Sequence, residues 1–115
     1  MGASERRKGA EGEREVAAIF RDVMPDKAVQ RAAGGARQES GDLIRVPGAL
    51  VSVKRHETLR LPLWTREAAE LADPLGLVPI IAYRRSREAW RADLPLADLA
   101  RYMAVYVLYN HEGVY

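Results

Sequence analysis

The chain has 115 residues, which fits one domain, and 48% of them are hydrophobic, which excludes a disordered composition. It contains no cysteine, so disulfides, thiol chemistry and cysteine zinc sites are excluded. The 18 basic and 16 acidic residues give a net charge of +2, which by itself is weak evidence for a nucleic-acid partner. The N-terminus is polar and no apolar run approaches the roughly 20 residues that cross a bilayer, so we expect a cytoplasmic protein without a membrane partner.

The first third of the chain predicts a helix, a short strand and a loop. Apolar residues recur at spacings of three and four between Glu11 and Val23, which predicts a helix with one apolar face. Residues 27–31 are a short strand candidate. Residues 32–41 contain three glycines and no large apolar side chain, which predicts a mobile loop. We expect the charged residues 1–8 to form a flexible arm.

The middle of the chain predicts a β-hairpin followed by a helix. Residues 42–46 and 49–55 are rich in β-branched residues and leucine, and Pro47-Gly48 between them favours a turn. Pro62 begins a helix at its first position, where the missing N–H is harmless, and this helix runs to about Asp73.

The last third predicts two strands and a helix. Residues 77–83 form the most apolar strand, in which Pro79 indicates either an edge strand or a strand's beginning. Residues 89–94 can pair with it, residues 96–103 look helical, and residues 105–109 are apolar with an undecided state. The order α-β-β-β-α-β-β-α predicts a single α/β domain, with one central mixed sheet flanked by helices.

Asp42 and Lys54 of the hairpin have the residue types that metal-dependent hydrolysis of a phosphodiester requires. Asp42 offers a carboxylate at a strand start, and Ser52 and Lys54 point to one face because they are two residues apart on a strand. Oxygen ligands of this kind suit Mg²⁺, and the backbone carbonyl of Val53 can add another. Lys54 can orient the attacking water or stabilise the charge that develops on the phosphate.

Arginines are placed around this hairpin. Fifteen of the 18 basic residues are arginine, which can bind a phosphate through two hydrogen bonds at once. Basic residues occupy positions 6–8, flank the glycine loop as Arg31 and Arg37, and follow Lys54 as Arg55; a further group lies at 84–87. Their joint placement favours DNA as the partner and gives no reason to expect a small-molecule substrate.

The segment from Arg7 to Glu15, with the sequence RKGAEGERE, resembles the opening of archaeal-type Holliday junction resolvases, a branch of the PD-(D/E)XK nuclease superfamily. The chain after this segment is also similar to these resolvases: a helix, a strand ending in Arg31, a glycine-rich loop, Gly41-Asp42-Leu43 and a strand ending in Lys54. The resemblance extends to phage-encoded resolvase-like proteins in residues 54–57 and 84–90, and it covers residues 7–99. It implies a restriction-endonuclease-like α/β fold.

The resemblance also implies individual roles. Asp42 is the principal metal ligand, Glu13 completes the acidic cluster, and Lys54 is the catalytic lysine, with Mg²⁺ as the cofactor and Mn²⁺ able to substitute. Without the segment 7–15 that carries the resemblance, Glu13 would be interpreted as a plain charge in the first turn of its helix. The residues expected to contact DNA are Arg6, Arg7, Lys8, Arg14, Arg31, Arg37, Arg55 and His56.

Ser52 departs from the family pattern, which has a glutamate metal ligand at this position. A neutral serine hydroxyl is a weak ligand for Mg²⁺. Three explanations stay open: an engineered replacement that silences cleavage, a natural serine compensated by Glu67 or Glu70 of the next helix or by Glu39 of the loop, or a protein that binds without cutting.

We therefore expect an Mg²⁺-dependent endonuclease that resolves four-way DNA junctions. A two-fold junction calls for two active sites, and the resemblance implies a homodimer. The alternatives are a related nuclease for other DNA structures, a non-cleaving junction-binding protein, and a basic subunit of a larger assembly. The apolar tail either packs on its own sheet or joins the residues after Lys54 in an interface. The candidate interface residues are Leu61, Leu63, Trp64, Tyr102 and residues 105–109.

Overall fold

The computed structural model describes the backbone of residues 3–32 and 41–110, and their side chains from residue 7 onward. The helices and strands in this part of the chain follow the predicted order, so the α/β class is confirmed. The elements are α1 (Ala3–Val23), β1 (Gln30–Arg31), β2 (Leu43–Ile44), β3 (Ala49–Arg55), α2 (Leu61–Ala72), β4 (Val78–Arg84), β5 (Arg91–Asp93) and α3 (Leu96–Tyr109), with a 3₁₀ turn (Asp73–Leu75) after α2.

A mixed sheet of three strands, with β4 in the centre, organises the fold. β3 and β4 run parallel with α2 as the crossover between them, and β5 returns antiparallel to β4. Pro79 is the second residue of β4 and precedes the pairing with β5, which starts at Ile81. The proline therefore lies at a strand's beginning, and the strand itself is central.

The hairpin predicted for residues 42–55 is not formed, because β2 pairs antiparallel with β1 instead. β2 ends at Ile44, since Arg45 has a φ of 67°, a left-handed conformation that cannot continue a strand. The chain touches β3 just before β2, where Gly41 forms a parallel bridge to Val51. The bridge between Gly41 and Val51 places Asp42 beside the middle of β3.

The two faces of the sheet carry separate hydrophobic clusters. On one face, Val16 and Ala17 of α1 pack with Val51 of β3, and Val53 contacts the same cluster. On the other face, Trp64 and Ala68 of α2 pack with Ile81, the register partner of Ser52. Because side chains alternate along a strand, Ser52 and Lys54 face α2. The sheet thereby separates α1 from the side chains of Ser52 and Lys54.

Both terminal helices are longer than predicted. α1 begins at Ala3, so the backbone of residues 3–8, expected to be a flexible arm, is helical. Glutamate, arginine and lysine are good helix formers, and a search for apolar periodicity overlooks them. α3 includes residues 105–109, whose state was undecided. Most of the predicted loop at 32–41 lies outside the described residues. Over the described ranges, every helix is too short or too polar to cross a membrane.

Candidate active site

Gly41 sets the position of Asp42. It has a φ of +78°, and a Cβ atom at this position would lie 2.5 Å from the carbonyl oxygen of Val51. This close approach lets the backbone N–H of Asp42 donate to that oxygen at 2.8 Å. The Asp42 carboxylate then accepts the backbone N–H of Val53 through Oδ2 at 2.7 Å. Asp42 is thus held against β3 by both its backbone and its side chain.

A cavity of about 200 Å³ lies between β3 and α2, with Asp42 at its wall. Ser52 and Lys54 line it from β3, so the structure brings these three predicted residues together. One face of α2 closes the cavity with residues spaced at i, i+3, i+4 and i+7. These lining residues of α2 are Trp64, Glu67, Ala68 and Leu71.

Glu67 is therefore placed at the cavity that Ser52 and Asp42 share. Glu70, one of its two rivals as a compensating carboxylate, is not among the lining residues, although both glutamates are exposed. Glu39, the other rival, lies outside the described residues. The helical spacing puts Glu67 on the same face of α2 as Trp64 and Leu71, but the packing of α2 against the sheet decides which face lies over the cavity.

Lys54 and His56 both lie against Trp64. The ammonium group of Lys54 is 5.8 Å from the centre of a Trp64 ring, within range of a cation–π contact. The His56 ring centre is 5.2 Å from that of Trp64. Burial lowers the pKa of His56 from its ordinary 6.5, and the charges of Lys54, Lys8 and Arg60 lower it further. These charges make this edge of the cavity electropositive.

Trp64, which was predicted to be an interface residue, is a core residue of this chain. Its side chain is 5% exposed, and Leu61 and Leu63 pack against its cluster on the α2 face of the sheet. Trp64 is therefore a core residue that also lines the cavity, whereas Leu61 and Leu63 are half-buried and their part in an interface stays a prediction. An apolar residue at the start of a helix carries no signal in the sequence that distinguishes the two roles.

Glu13 is a buried residue of α1 that forms an ion pair. It is buried at 5% exposure, and its Oε1 accepts the Nε–H of Arg31 at 3.0 Å. α1 packs on the sheet face opposite to Ser52 and Lys54, and Glu13 is not among the residues that line the cavity. Glu13 is also not a charge in the first turn of its helix, because α1 begins at Ala3, ten residues before it. Its role as a metal ligand stays a prediction.

The donor set at the cavity is of the kind that Mg²⁺ prefers. Asp42 and Glu67 supply carboxylate oxygens and Ser52 supplies a hydroxyl, all hard ligands. Mg²⁺ usually keeps several waters, so two protein carboxylates can suffice. Among the described residues, no three histidine, cysteine, aspartate or glutamate side chains form a group that could hold a metal ion. The backbone carbonyl of Val53 stays a predicted metal ligand. The backbone N–H of Val53 donates to the Asp42 carboxylate.

Several residues predicted to contact DNA are paired with carboxylates. Arg31 binds Glu13, Arg55 Nη1 lies 3.4 Å from Glu11, and Lys8 lies 3.8 Å from Glu57. Two others, Arg7 and Arg14, are exposed along α1. The Arg6 side chain and all of Arg37 lie outside the described part of the chain.

A network that the sequence did not reveal ties α1 to the sheet. Glu15 Oε1 accepts hydrogen bonds from Trp90 Nε1 at 2.9 Å and from Arg84 Nη2 at 3.0 Å. The Arg84 guanidinium also lies 5.2 Å from the Trp90 ring. Arg84, predicted as part of a basic DNA-facing group, is therefore a structural residue that links the first helix to β4.

Comparison with protein-family models, with curated proteins and with solved structures finds no match to this chain.

Proposed function

We propose that this chain is a metal-dependent endonuclease for four-way DNA junctions, with a fold of the restriction-endonuclease type. One observation supports the proposal most directly: Asp42, Lys54 and Glu67 come from three separate segments and line one cavity. A carboxylate pair beside a lysine is a suitable combination for phosphodiester hydrolysis, which needs an activated water and neutralisation of developing charge.

Asp42 and Glu67 would hold Mg²⁺ in this proposal, and the Ser52 hydroxyl would be a weaker oxygen ligand beside them. When bound, the ion supplies charge neutralisation and a more acidic water. Glu67 would be the second carboxylate ligand, in place of a carboxylate at position 52, because α2 positions it at the same cavity. Ser52 is then compatible with activity, and no engineered replacement has to be assumed.

Lys54 would stabilise the negative charge of the phosphate in the transition state. Its ammonium group lies at the cavity, and Trp64 beneath it restricts its orientations. His56 sits at the same edge with a lowered pKa, so its imidazole is largely neutral near pH 7 and can accept a hydrogen bond. The positive charges of Lys8, Lys54 and Arg60 around it favour a phosphate backbone as the ligand.

A second candidate is a junction-binding protein that does not cut. Ser52 favours it, together with the absence of a three-carboxylate group among the described residues. The two candidates share the DNA surface and differ in whether Asp42 and Glu67 bind an ion strongly enough for turnover.

Cleavage of matched four-way, flapped and linear duplex substrates in Mg²⁺ tests the proposal. We expect cleavage of the four-way junction above that of the other two, and loss of cleavage without loss of binding for Lys54→Ala. Equal rates on all three substrates would remove the junction assignment. Junction binding without cleavage in Mg²⁺ or Mn²⁺ would favour the second candidate.

A further inference from the structure

A second cavity, of about 400 Å³, lies near the end of β4 on the same side of the sheet as the candidate active site. Leu59 and Tyr83 of its wall pack against the cluster that contains Trp64, and Lys54 and His56 lie against the same tryptophan. The two cavities are therefore separated by little more than the Trp64 cluster. We call the second cavity the β4–β5 pocket, and its lining residues are Leu59, Tyr83, Arg85, Glu88, Ala89 and Arg91.

A row of three side chains crosses the sheet from the candidate active site to the β4–β5 pocket. Lys54 of β3 is the register partner of Tyr83 of β4, and Tyr83 is the register partner of Arg91 of β5. Register partners place their side chains on the same face of a sheet, so all three lie on the face that α2 covers. Neighbouring strands are about 4.8 Å apart, so the backbones of Lys54 and Arg91 are separated by about 10 Å. The row therefore has an aromatic ring between two cations.

The charge of the β4–β5 pocket suits an anionic ligand. Two arginines and one glutamate line it, so the wall carries a net positive charge. Arg85 Nη1 lies 3.8 Å from Glu88 and its charge is balanced there. Arg91 is exposed, and its guanidinium can therefore bind a ligand in the pocket.

The turn between β4 and β5 forms one wall of the pocket, and it is fixed by hydrogen bonds to Glu57. The Glu57 carboxylate accepts the backbone N–H of Ser86 at 3.1 Å and also accepts the Ser86 hydroxyl. Arg85 Nε donates to the backbone carbonyl of Glu57 at 3.1 Å. A wall that is already ordered reduces the entropy that ligand binding would cost.

We propose that the β4–β5 pocket binds one unpaired nucleotide of the DNA strand whose phosphate lies at the candidate active site, with the base stacked on Tyr83 and a phosphate at Arg91. A base of any identity can stack on an aromatic side chain, and arginine binds a phosphate through two hydrogen bonds. The volume is near the lower end of the about 300–1,000 Å³ found for small-ligand sites, so it suits a single nucleotide and excludes a duplex. The inference rests on the proposed function, because Lys54 places the phosphate to be cut at the beginning of the row.

The pocket gives the protein a preference among four-way junctions. In a fully paired junction, a base pair must open before a nucleotide can enter the pocket. Opening a pair costs free energy, and the cost is least where the bases are already mismatched. A junction with a mismatched pair at the branch point should therefore bind more tightly than the fully paired junction.

Binding of these two junctions in EDTA measures the preference without cleavage. The junctions differ only in the mismatched pair, and fluorescence anisotropy gives the Kd of each. We expect the unchanged chain to bind the mismatched junction at least about 10-fold more tightly. Tyr83→Leu should bring the ratio of the two Kd values close to one, because leucine keeps the apolar contact with the Trp64 cluster but has no ring. Tyr83→Phe keeps the ring and should keep the preference.

Arg91→Ala tests the phosphate contact separately. It should weaken the binding of both junctions and reduce the slope of log K against log salt concentration by about one. Arg101→Ala is the matched control, because it removes an exposed arginine from α3, a helix with no buried residue that does not line the pocket. We expect its salt slope to be that of the unchanged chain. Circular dichroism should report folded protein for Arg91→Ala and Arg101→Ala, since both residues are exposed.

The pocket proposal and the proposed function fail in different ways. Equal Kd values of the unchanged chain for the two junctions, a preference that Tyr83→Leu retains, or an unchanged salt slope for Arg91→Ala would each overturn the pocket proposal, even if the chain cuts junctions. A chain that shows the Tyr83-dependent preference but cuts neither junction in Mg²⁺ or Mn²⁺ would retain the pocket and overturn the nuclease. Absence of binding to either junction would overturn both.

Discussion

Replacing Gly41 by alanine should destabilise the protein and displace Asp42. At a φ of +78°, an L side chain costs about 1–2 kcal/mol. The new Cβ would also lie 2.5 Å from the Val51 carbonyl oxygen, so the backbone must shift and the Asp42 N–H bond to that oxygen is lost. Leaving a buried backbone group unsatisfied costs about a further 1–3 kcal/mol.

The expected loss of about 2–5 kcal/mol can be followed by thermal unfolding. With an unfolding entropy of about 2.1 cal/mol/K per residue, it corresponds to a fall in Tm of roughly 8–20 °C for this chain. Gly48→Ala is the matched control, because Gly48 has a φ of +69° and nothing within 4 Å of its Cβ position. It should lose only the conformational part, about 1–2 kcal/mol or roughly 4–8 °C. Equal Tm losses for the two variants would refute the claim that Gly41 is needed for close approach to β3.

Three further predictions concern the cavity and the Glu15 network. Asp42→Asn should abolish cleavage while junction binding, measured by gel shift, persists or tightens, since a negative charge near phosphates is removed; a variant that still cuts would exclude Asp42 as a ligand. Ser52→Glu should restore cleavage to Glu67→Gln, because either carboxylate can reach the cavity; failure of the double variant would deny that the two positions are equivalent. Burial raises the pKa of Glu15, but the hydrogen bonds from Trp90 and Arg84 outweigh it and leave the pKa below 4.5. A carboxyl group with a lower pKa in the folded protein stabilises the fold at pH values above its unfolded-state pKa, and this stabilisation is lost as the pH falls through its folded-state pKa. The free energy of unfolding should therefore drop below about pH 4.5, and it should drop less in Glu15→Gln.

The order of helices and strands could be predicted because it depends on local signals. Pro62 marked the start of α2, and the apolar run at residues 77–83 marked β4 to within one residue at each end. Strand pairing could not be predicted in the same way. A Pro-Gly turn between two strand-like runs favours a hairpin. The left-handed conformation of Arg45 nevertheless ends β2 after two residues, and β2 pairs with β1 and not with β3.

The candidate site was predictable where it depends on one strand and not where it depends on tertiary packing. The spacing of Ser52 and Lys54 sets their common face in any strand. The choice between Glu67 and Glu70 depends on how α2 is rotated against the sheet, which its buried residues Trp64 and Ala68 determine. The burial of Glu13 beside Arg31 likewise depends on packing between α1 and β1, for which a charged residue in a helix gives no local signal.

The central claim is that Glu67 replaces the carboxylate that position 52 lacks. Single-turnover cleavage of a four-way junction in Mg²⁺ by Glu67→Gln and by Glu70→Gln tests it most directly, because the two glutamates lie on the same helix and only Glu67 lines the cavity. We predict a loss of at least about 100-fold for Glu67→Gln, the equivalent of about 3 kcal/mol of charge stabilisation, and a rate close to that of the unchanged chain for Glu70→Gln. Equal rates for the two variants would contradict the claim.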